Sequence, residues 1–248
     1  MSTREEPSEV GFRGWVAQIA DRINEGTALL SRALQGELRL QIGAGLEVLR
    51  KAAAREYCQF CADAELPLWR GDREMAASRL FDGHLRASFM LLSGTSLELC
   101  LSGSQSVWSG QDPAPSEAGI RFSFGEGNCG IAVMRAWNPT GKEGPATLSI
   151  RDEAGEWPTN LSTSQLRAIS PDLDWVLSAP VRLLELPIGV VNLDGLRWKS
   201  IAGGDRSGAA ATLRAMVAPA RVALGKVLLD STGALGGLLD RHVRETRP

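Results

Sequence analysis

Two paired runs of alternating apolar residues, each closed by a tight turn, constrain this chain most. The first pair spans residues 87–92 and 96–102, separated by Ser93-Gly94-Thr95. The second spans residues 175–184 and 188–196, joined around Glu185-Leu186-Pro187. Apolar runs split by turns of this kind read as antiparallel hairpins. In the run 96–102, Leu97, Leu99 and Leu101 alternate with Glu98, Cys100 and Ser102, the pattern of a strand buried on one side. Helical spacing brackets the hairpins. Val10, Trp15, Val16, Ile19, Ala20 and Ile23 recur with that period until Gly26 interrupts it, and Thr27 can cap a fresh start. Leu38, Ile42, Leu46, Leu49, Ala53 and Tyr57 mark a longer second helix. Leu213, Met216, Val217, Ala220, Leu224, Val227 and Leu228 mark a last one, in which Pro219 predicts a kink. Helices at both ends and hairpins between them make an α+β pattern rather than repeating βαβ units.

Between the hairpins the signals are shorter. Residues 74–80 read as a short helix and 103–118 as a loop rich in Pro, Gly and Ser. Ile120, Phe122 and Phe124 alternate in a third strand, followed by a glycine turn, 125–130, and a short apolar helix, 131–137. Residues 138–172 are mostly loop, with a strand candidate at 146–150. The expected organisation is a helical extension, 1–36, a main domain, 37–230, and a C-terminal tail, 231–248.

Composition removes several function classes. Twenty-seven basic and 29 acidic residues give a net charge of −2, so no net field draws the chain to nucleic acid or an anionic membrane. No signal-peptide pattern follows the polar first nine residues, and a cytoplasmic location is expected. Only His84 and His242 carry imidazole, which leaves little from which to build a Ser-His-Asp triad or a histidine-rich metal site. Cys58 and Cys61 form a C-x-x-C pair at a helix end. A structural zinc site needs four ligands and no second pair exists, so these read as helix residues with one buried thiol.

Gly125, Gly127 and Gly130 match the dinucleotide fingerprint literally, and Asp152 lies 22 residues beyond. The context opposes that reading: the preceding strands form a hairpin, the helix is short, and no parallel βαβ series follows. The segment Phe122-Ser-Phe-Gly-Glu-Gly-Asn-Cys-Gly-Ile-Ala132 instead resembles the turn of the GAF family, in which a strand passes through glycines into a short helix. The hairpin from Trp175 through Pro180 and Gly189 to Asp194 resembles that family's closing hairpin, and residues 86–102 its first two strands. The resemblance covers residues 38–230. It implies an α+β fold: an antiparallel sheet of about six strands with N- and C-terminal helices packed on one face. A small-molecule pocket lies on the other face, roofed by the short helix and the long loop. Carried over by position, the pocket walls are Phe122, Phe124, Cys129, Ala132, Asp152 and Trp175; the same residues equally suit a filled core. Trp108 and Trp157 fall in loops that would border the pocket.

The chain departs from the better-known ligand signatures of the family. The cyclic-nucleotide signature cannot be placed, no cysteine stands before a histidine as bilin attachment needs, and His84 lies at the wrong end of the sheet for a haem ligand. The turn also resembles that of the free methionine-(R)-sulfoxide reductases, with Cys129 in the cysteine's place. That chemistry needs a second thiol. The family's further cysteine has no counterpart, since residues 130–248 contain none, and Cys100 on a neighbouring strand is the remaining partner. Three functions are therefore expected in order: a homodimeric, non-catalytic sensory domain that binds an unidentified small molecule and signals through its terminal helices to an output protein; a thiol redox enzyme using Cys129; and a dimeric scaffold without ligand. No cofactor is specified by the sequence.

Overall fold

Strand β6 (Leu186–Leu196) is buried along nearly its whole length, because it lies in the middle of the sheet with helices over both faces. The structure, a computed structural model, describes residues 9–33, 36–64, 72–94, 99–137, 146–152, 154–158, 160–198 and 209–246. Its elements in chain order begin with α1 (Glu9–Ala33), α2 (Glu37–Asp63) and α3 (Arg73–Gly83). Then come β1 (Leu85–Gly94), β2 (Leu99–Ser109), α4 (Pro115–Ala118), β3 (Arg121–Ser123) and α5 (Gly127–Ala136). The chain continues through β4 (Thr147–Ile150), α6 (Thr163–Ala168), β5 (Leu173–Leu183), β6 and α7 (Ala209–Thr246). Six antiparallel strands form one sheet in the order β3-β2-β1-β6-β5-β4, as the GAF resemblance implies.

Side-chain alternation divides the sheet into two chemically different faces. Ala87, Phe89, Leu91, Trp175, Leu177, Ala179, Val191 and Leu193 point to one face and join the main core under α2 and α7. That core includes Trp198, edge-on to Trp175 (ring centroids 5.3 Å apart) and to Tyr57 (4.4 Å). Such aromatic pairs contribute about 0.5–1.5 kcal/mol each beyond their burial. Arg50 of α2 ties this layer together: its guanidinium donates to the carbonyls of Leu85 and Phe81 and to Ser109 Oγ. The second face carries a smaller cluster, Met90, Leu92, Phe122, Cys129, Val133 and Val190, covered by α5. Helix α1 touches both layers, with Leu30 in the main core and Ile23 in the second cluster.

Several expectations are corrected. Helix α1 runs through Gly26 without a break. Strand β2 continues through 103–109, expected as loop, because its low-propensity Ser/Gly stretch pairs along β1 from Met90↔Ser106 to Ala87↔Ser109. Helices α4 and α6 occupy segments read as loop. The turn of the second hairpin is Leu184-Glu185, both at positive φ (47° and 68°), the backbone a two-residue type I′ connection requires. The segment expected as a tail is the end of α7, with Leu235, Leu239 and Val243 buried. Gly236 brings the helix against β5, where an added Cβ would lie 2.9 Å from the Arg182 carbonyl oxygen. One stretch of α7 reaches a mean hydropathy of 1.4 and is long enough to cross a membrane. Here its apolar stripe, from Leu213 to Val243, packs into the main core.

At Gly195 the closeness of Trp175 leaves no room for a side chain: an added Cβ would fall 1.9 Å from the indole Nε1. Gly195→Ala is predicted to cost about 3 kcal/mol or more of stability, at the upper end for overpacking a core, measured by urea unfolding.

Candidate functional site

The second face of the sheet is lined by polar residues that alternate with the core. On β1 these are Arg86 and Ser88, and on β6 Asn192 and Asp194; the antiparallel register sets Arg86 opposite Asp194 and Ser88 opposite Asn192. Ser178 of β5 stands opposite Asn192 on the other side. A buried ion network follows from that register. Arg86 Nε donates to Asp194 Oδ2 at 3.0 Å, and its two terminal nitrogens reach Glu117 Oε2 and Oε1 at 2.9 and 3.0 Å. Arg86 is 3% exposed, and Asp194 and Glu117 4% each, so the charges are held almost without water. Glu117 also accepts the amides of Ala114 and Ser170, which ties the α4 and α6 segments down to the sheet.

Electrostatics follow from this burial. Desolvation pushes the Asp194 carboxyl up, opposed by Arg86 and reinforced by the charge of Glu117, to about 6. Burial also works against the charge of Glu117, but Arg86 and the two amides outweigh it and hold its carboxyl below the usual range. Burial opposes the Arg86 charge as well, and its two acidic partners more than restore it.

Beside the ion network lies a second one, centred on α5. The turn that starts α5 depends on its glycines: Gly125 and Gly127 take positive φ (81° and 55°), and an added Cβ at Gly130 would lie 2.0 Å from the Ser123 carbonyl oxygen. So the literal fingerprint is explained by a tight turn and a close backbone approach. Asn128 Nδ2 donates to the Thr147 carbonyl at 2.6 Å and to Ser178 Oγ at 2.7 Å, and its Oδ1 accepts from Ser149 Oγ at 3.0 Å. Ser178 Oγ and the Cys129 thiol both donate to Asn192 Oδ1, at 2.7 and 3.3 Å. Burial, and then the charge of Asp194, push the Cys129 thiol up to about 12. The protonated thiol is the form present at neutral pH, whereas nucleophilic cysteines need the thiolate.

Between these networks and the roof is a cavity of about 70 Å³. Its floor includes Arg86, Ser88, Val176, Asn192 and Asp194; its walls include Trp108, Phe122, Trp157, Leu161 and Ile169. Of the residues expected there from the sequence, Phe122 and Cys129 line it. Phe124 is 38% exposed and lies beside Trp137, outside the cavity. Ala132 is on the buried side of α5 and is not among the residues lining the cavity. Asp152 holds a turn by accepting the Glu156 amide at 2.7 Å. Trp175 belongs to the opposite face, in the main core; its neighbour Val176 lines the cavity, and a shift of one residue in a strand exchanges the faces. Trp108 and Trp157 do border the cavity, although Trp108 sits on β2 rather than in a loop. Missed from the sequence were Arg86, Glu117, Asn128, Asn192 and Asp194. The signal for Arg86, Asn192 and Asp194 was present: polar residues alternating with apolar ones in strands that are buried on both faces. For Asn128, at the start of α5, and Glu117, in the short helix α4, there was none.

The other cysteines and histidines lie elsewhere. Cys58 and Cys61 are both buried in α2, rather than one of them, and burial raises the Cys58 thiol to about 11. His84 Nδ1 is 2.9 Å from the Leu196 carbonyl at the sheet end. The side chain of Cys100, the expected partner of Cys129, lies outside the described residues. Among the described residues no group of His, Cys, Asp or Glu is arranged to hold a metal.

Two outcomes test this geometry. With Arg86→Met, Asp194 and Glu117 lose their counter-charge; the already raised Asp194 pKa climbs further and that of Glu117 rises from below the usual range. The destabilisation, about 3–5 kcal/mol for a broken buried pair, is then largest above about pH 7 and shrinks as pH falls and the acids take protons. Urea unfolding across pH measures it. Cys129 in the native protein should resist iodoacetamide at neutral pH and become alkylated only on unfolding, as followed by peptide mass spectrometry.

No family model matches the chain, and no curated protein matches it significantly. Solved structures that resemble it include one described as the structure of the GAF domain, at 14% identity over 62% of this chain and 71% of that one, TM-score 0.31. Another is the free methionine-R-sulfoxide reductase of Neisseria meningitidis with its substrate, at 19% identity over 76% and 93%, TM-score 0.31. A third is the nlh2 GAF domain of A. aeolicus in an inactive state, at 13% over 73% and 96%, TM-score 0.31. Identities and scores of this size carry no function across, because one fold hosts many activities. What the sheet order, the helices α2 and α7 on one face and the glycine turn into α5 on the other together give is a GAF-like α+β fold.

Proposed function

We propose that this chain is a non-catalytic, cytoplasmic sensory or regulatory domain that binds a small molecule in the cavity above Arg86, Asn192 and Asp194. The observation that carries this reading is a cavity lined by a buried carboxylate, Asp194, of which Arg86 engages one oxygen. A buried polar atom without a partner costs roughly 1–3 kcal/mol, which a bound molecule can recover. Signalling in this reading runs through helices. Ile23 of α1 shares its cluster with Phe122 and Cys129 at the cavity, while Leu30 of the same helix joins α2 and α7. A ligand that changes packing at Ile23 shifts α1 by no more than its differential affinity for two helix arrangements. A homodimer formed through these helices, with a separate output protein, completes the proposal.

The redox alternative has one feature in its favour, the position of Cys129 at the start of α5 on the cavity wall. The raised thiol pKa and the absence of any cysteine after it weigh against it.

Trp108 and Trp157 provide the readout. A small molecule in the cavity should change tryptophan emission, and Ser149→Leu, which fills space beside Asn128, should abolish the change while leaving the unfolding transition cooperative. Native mass spectrometry of the purified protein should show a dimer. If Ser149→Leu responds to the same molecules as the parent protein, they bind elsewhere; turnover of methionine sulfoxide that disappears in Cys129→Ser would move the assignment to the reductase.

A further inference from the structure

The charges in the cavity do not balance. One guanidinium, Arg86, is shared by two carboxylates, Asp194 and Glu117, and all three are at least nine-tenths buried. Glu117 is saturated: it receives two bonds from Arg86 and the amides of Ala114 and Ser170. Asp194 is not. Both of its contacts from Arg86 fall on Oδ2, and among the described residues Oδ1 receives no donor although the residue lines the cavity. With both acids ionised, the site holds an excess of one negative charge in a place of low dielectric, where uncompensated charge is costly. The acceptor and the excess charge coincide at one atom.

We propose that the cavity takes a small organic monocation, an ammonium on a short apolar body, whose N–H groups donate to Asp194 Oδ1. This rests on the cavity being a ligand site. An anion would add a third negative charge beside one guanidinium already engaged, and a neutral molecule would leave the excess in place. The cavity volume, about 70 Å³, admits a body of only a few heavy atoms. Met90, Ile120, Phe122 and Val176 give that body apolar surroundings.

The groups that face Asp194 are Arg86 from β1, Glu117 from α4 and Cys129 from α5; β5 places Val176 opposite it, with Asp174 two residues along. Because Asp194 titrates near 6, ammonium binding should weaken as pH falls through that range.

Isothermal titration of the whole chain with isobutylamine, isobutanol and isobutyrate, molecules of the same shape, separates the possibilities. The amine is expected to bind at least about tenfold more tightly than the alcohol above pH 7, with isobutyrate weakest. That preference should fade as the wild-type protein is taken below about pH 6. Asp194→Asn should lose the preference for the amine and keep binding of the alcohol. Equal affinity for amine and alcohol, a pH-independent preference, or tightest binding of isobutyrate overturns the charge assignment and leaves the pocket as a ligand site. Failure of all three to bind removes the ligand site itself, and this inference with it.

Discussion

The buried pairing of Arg86 with Asp194 and Glu117 is the constraint on which the second face of this protein depends. Removing a guanidinium from water is costly unless its donors are met. Here they are met by one acid opposite in the sheet register and one from the roof. The consequence is mechanical as well as electrostatic. Glu117 binds the sheet through Arg86 and the roof through the amides of Ala114 and Ser170, so the roof is tied to the sheet by an ion pair rather than by apolar packing alone. A roof held in this way keeps a polar interior that an apolar core would not tolerate.

The two faces of the sheet divide the work. Under α2 and α7 the residues are apolar and close-packed, with Trp175, Trp198 and Tyr57 at the centre, and this layer supplies most of the burial. On the other face, Asn128, Ser149, Ser178 and Asn192 satisfy one another in a connected network, and the thiol of Cys129 joins it as a donor. Polar networks of this kind specify one arrangement when every member is satisfied. Asn128, Cys129, Ser149 and Asn192 carry this network to the cavity surface with their partners in place.

The same arrangement bears on the thiol. Cys129 stands where the reductase resemblance places its cysteine, yet it is surrounded by groups that favour the protonated form: burial and a nearby carboxylate. Thiolate chemistry needs positive potential or a helix N-terminus open to the sulfur. At Cys129 the strongest nearby charge is negative, and the thiol donates to Asn192 Oδ1. Identity of a residue at a position and competence of that residue are set by different features of the fold.

By itself the sequence determined the order of helices and hairpins, because periods of 2 and 3.6 are local consequences of backbone geometry. It also carried the glycine turn into α5, where φ and close approach leave few alternatives to glycine. Phe122 and Cys129 could be placed at the cavity through the resemblance of the segment 122–132 to the GAF family's turn. Trp175 could not, since an alternating strand has two buried faces here and sequence period does not say which face meets which layer. The extent of β2 and of α7 was decided by pairing with β1 and packing on β5, against the local preferences of Ser and Gly. Tertiary structure alone brought Arg86, Glu117 and Asp194 together, from 31 and 108 residues apart along the chain. The meeting of these charges depends on strand register and on where the chain sets the short helix α4, and neither is written in local periodicity.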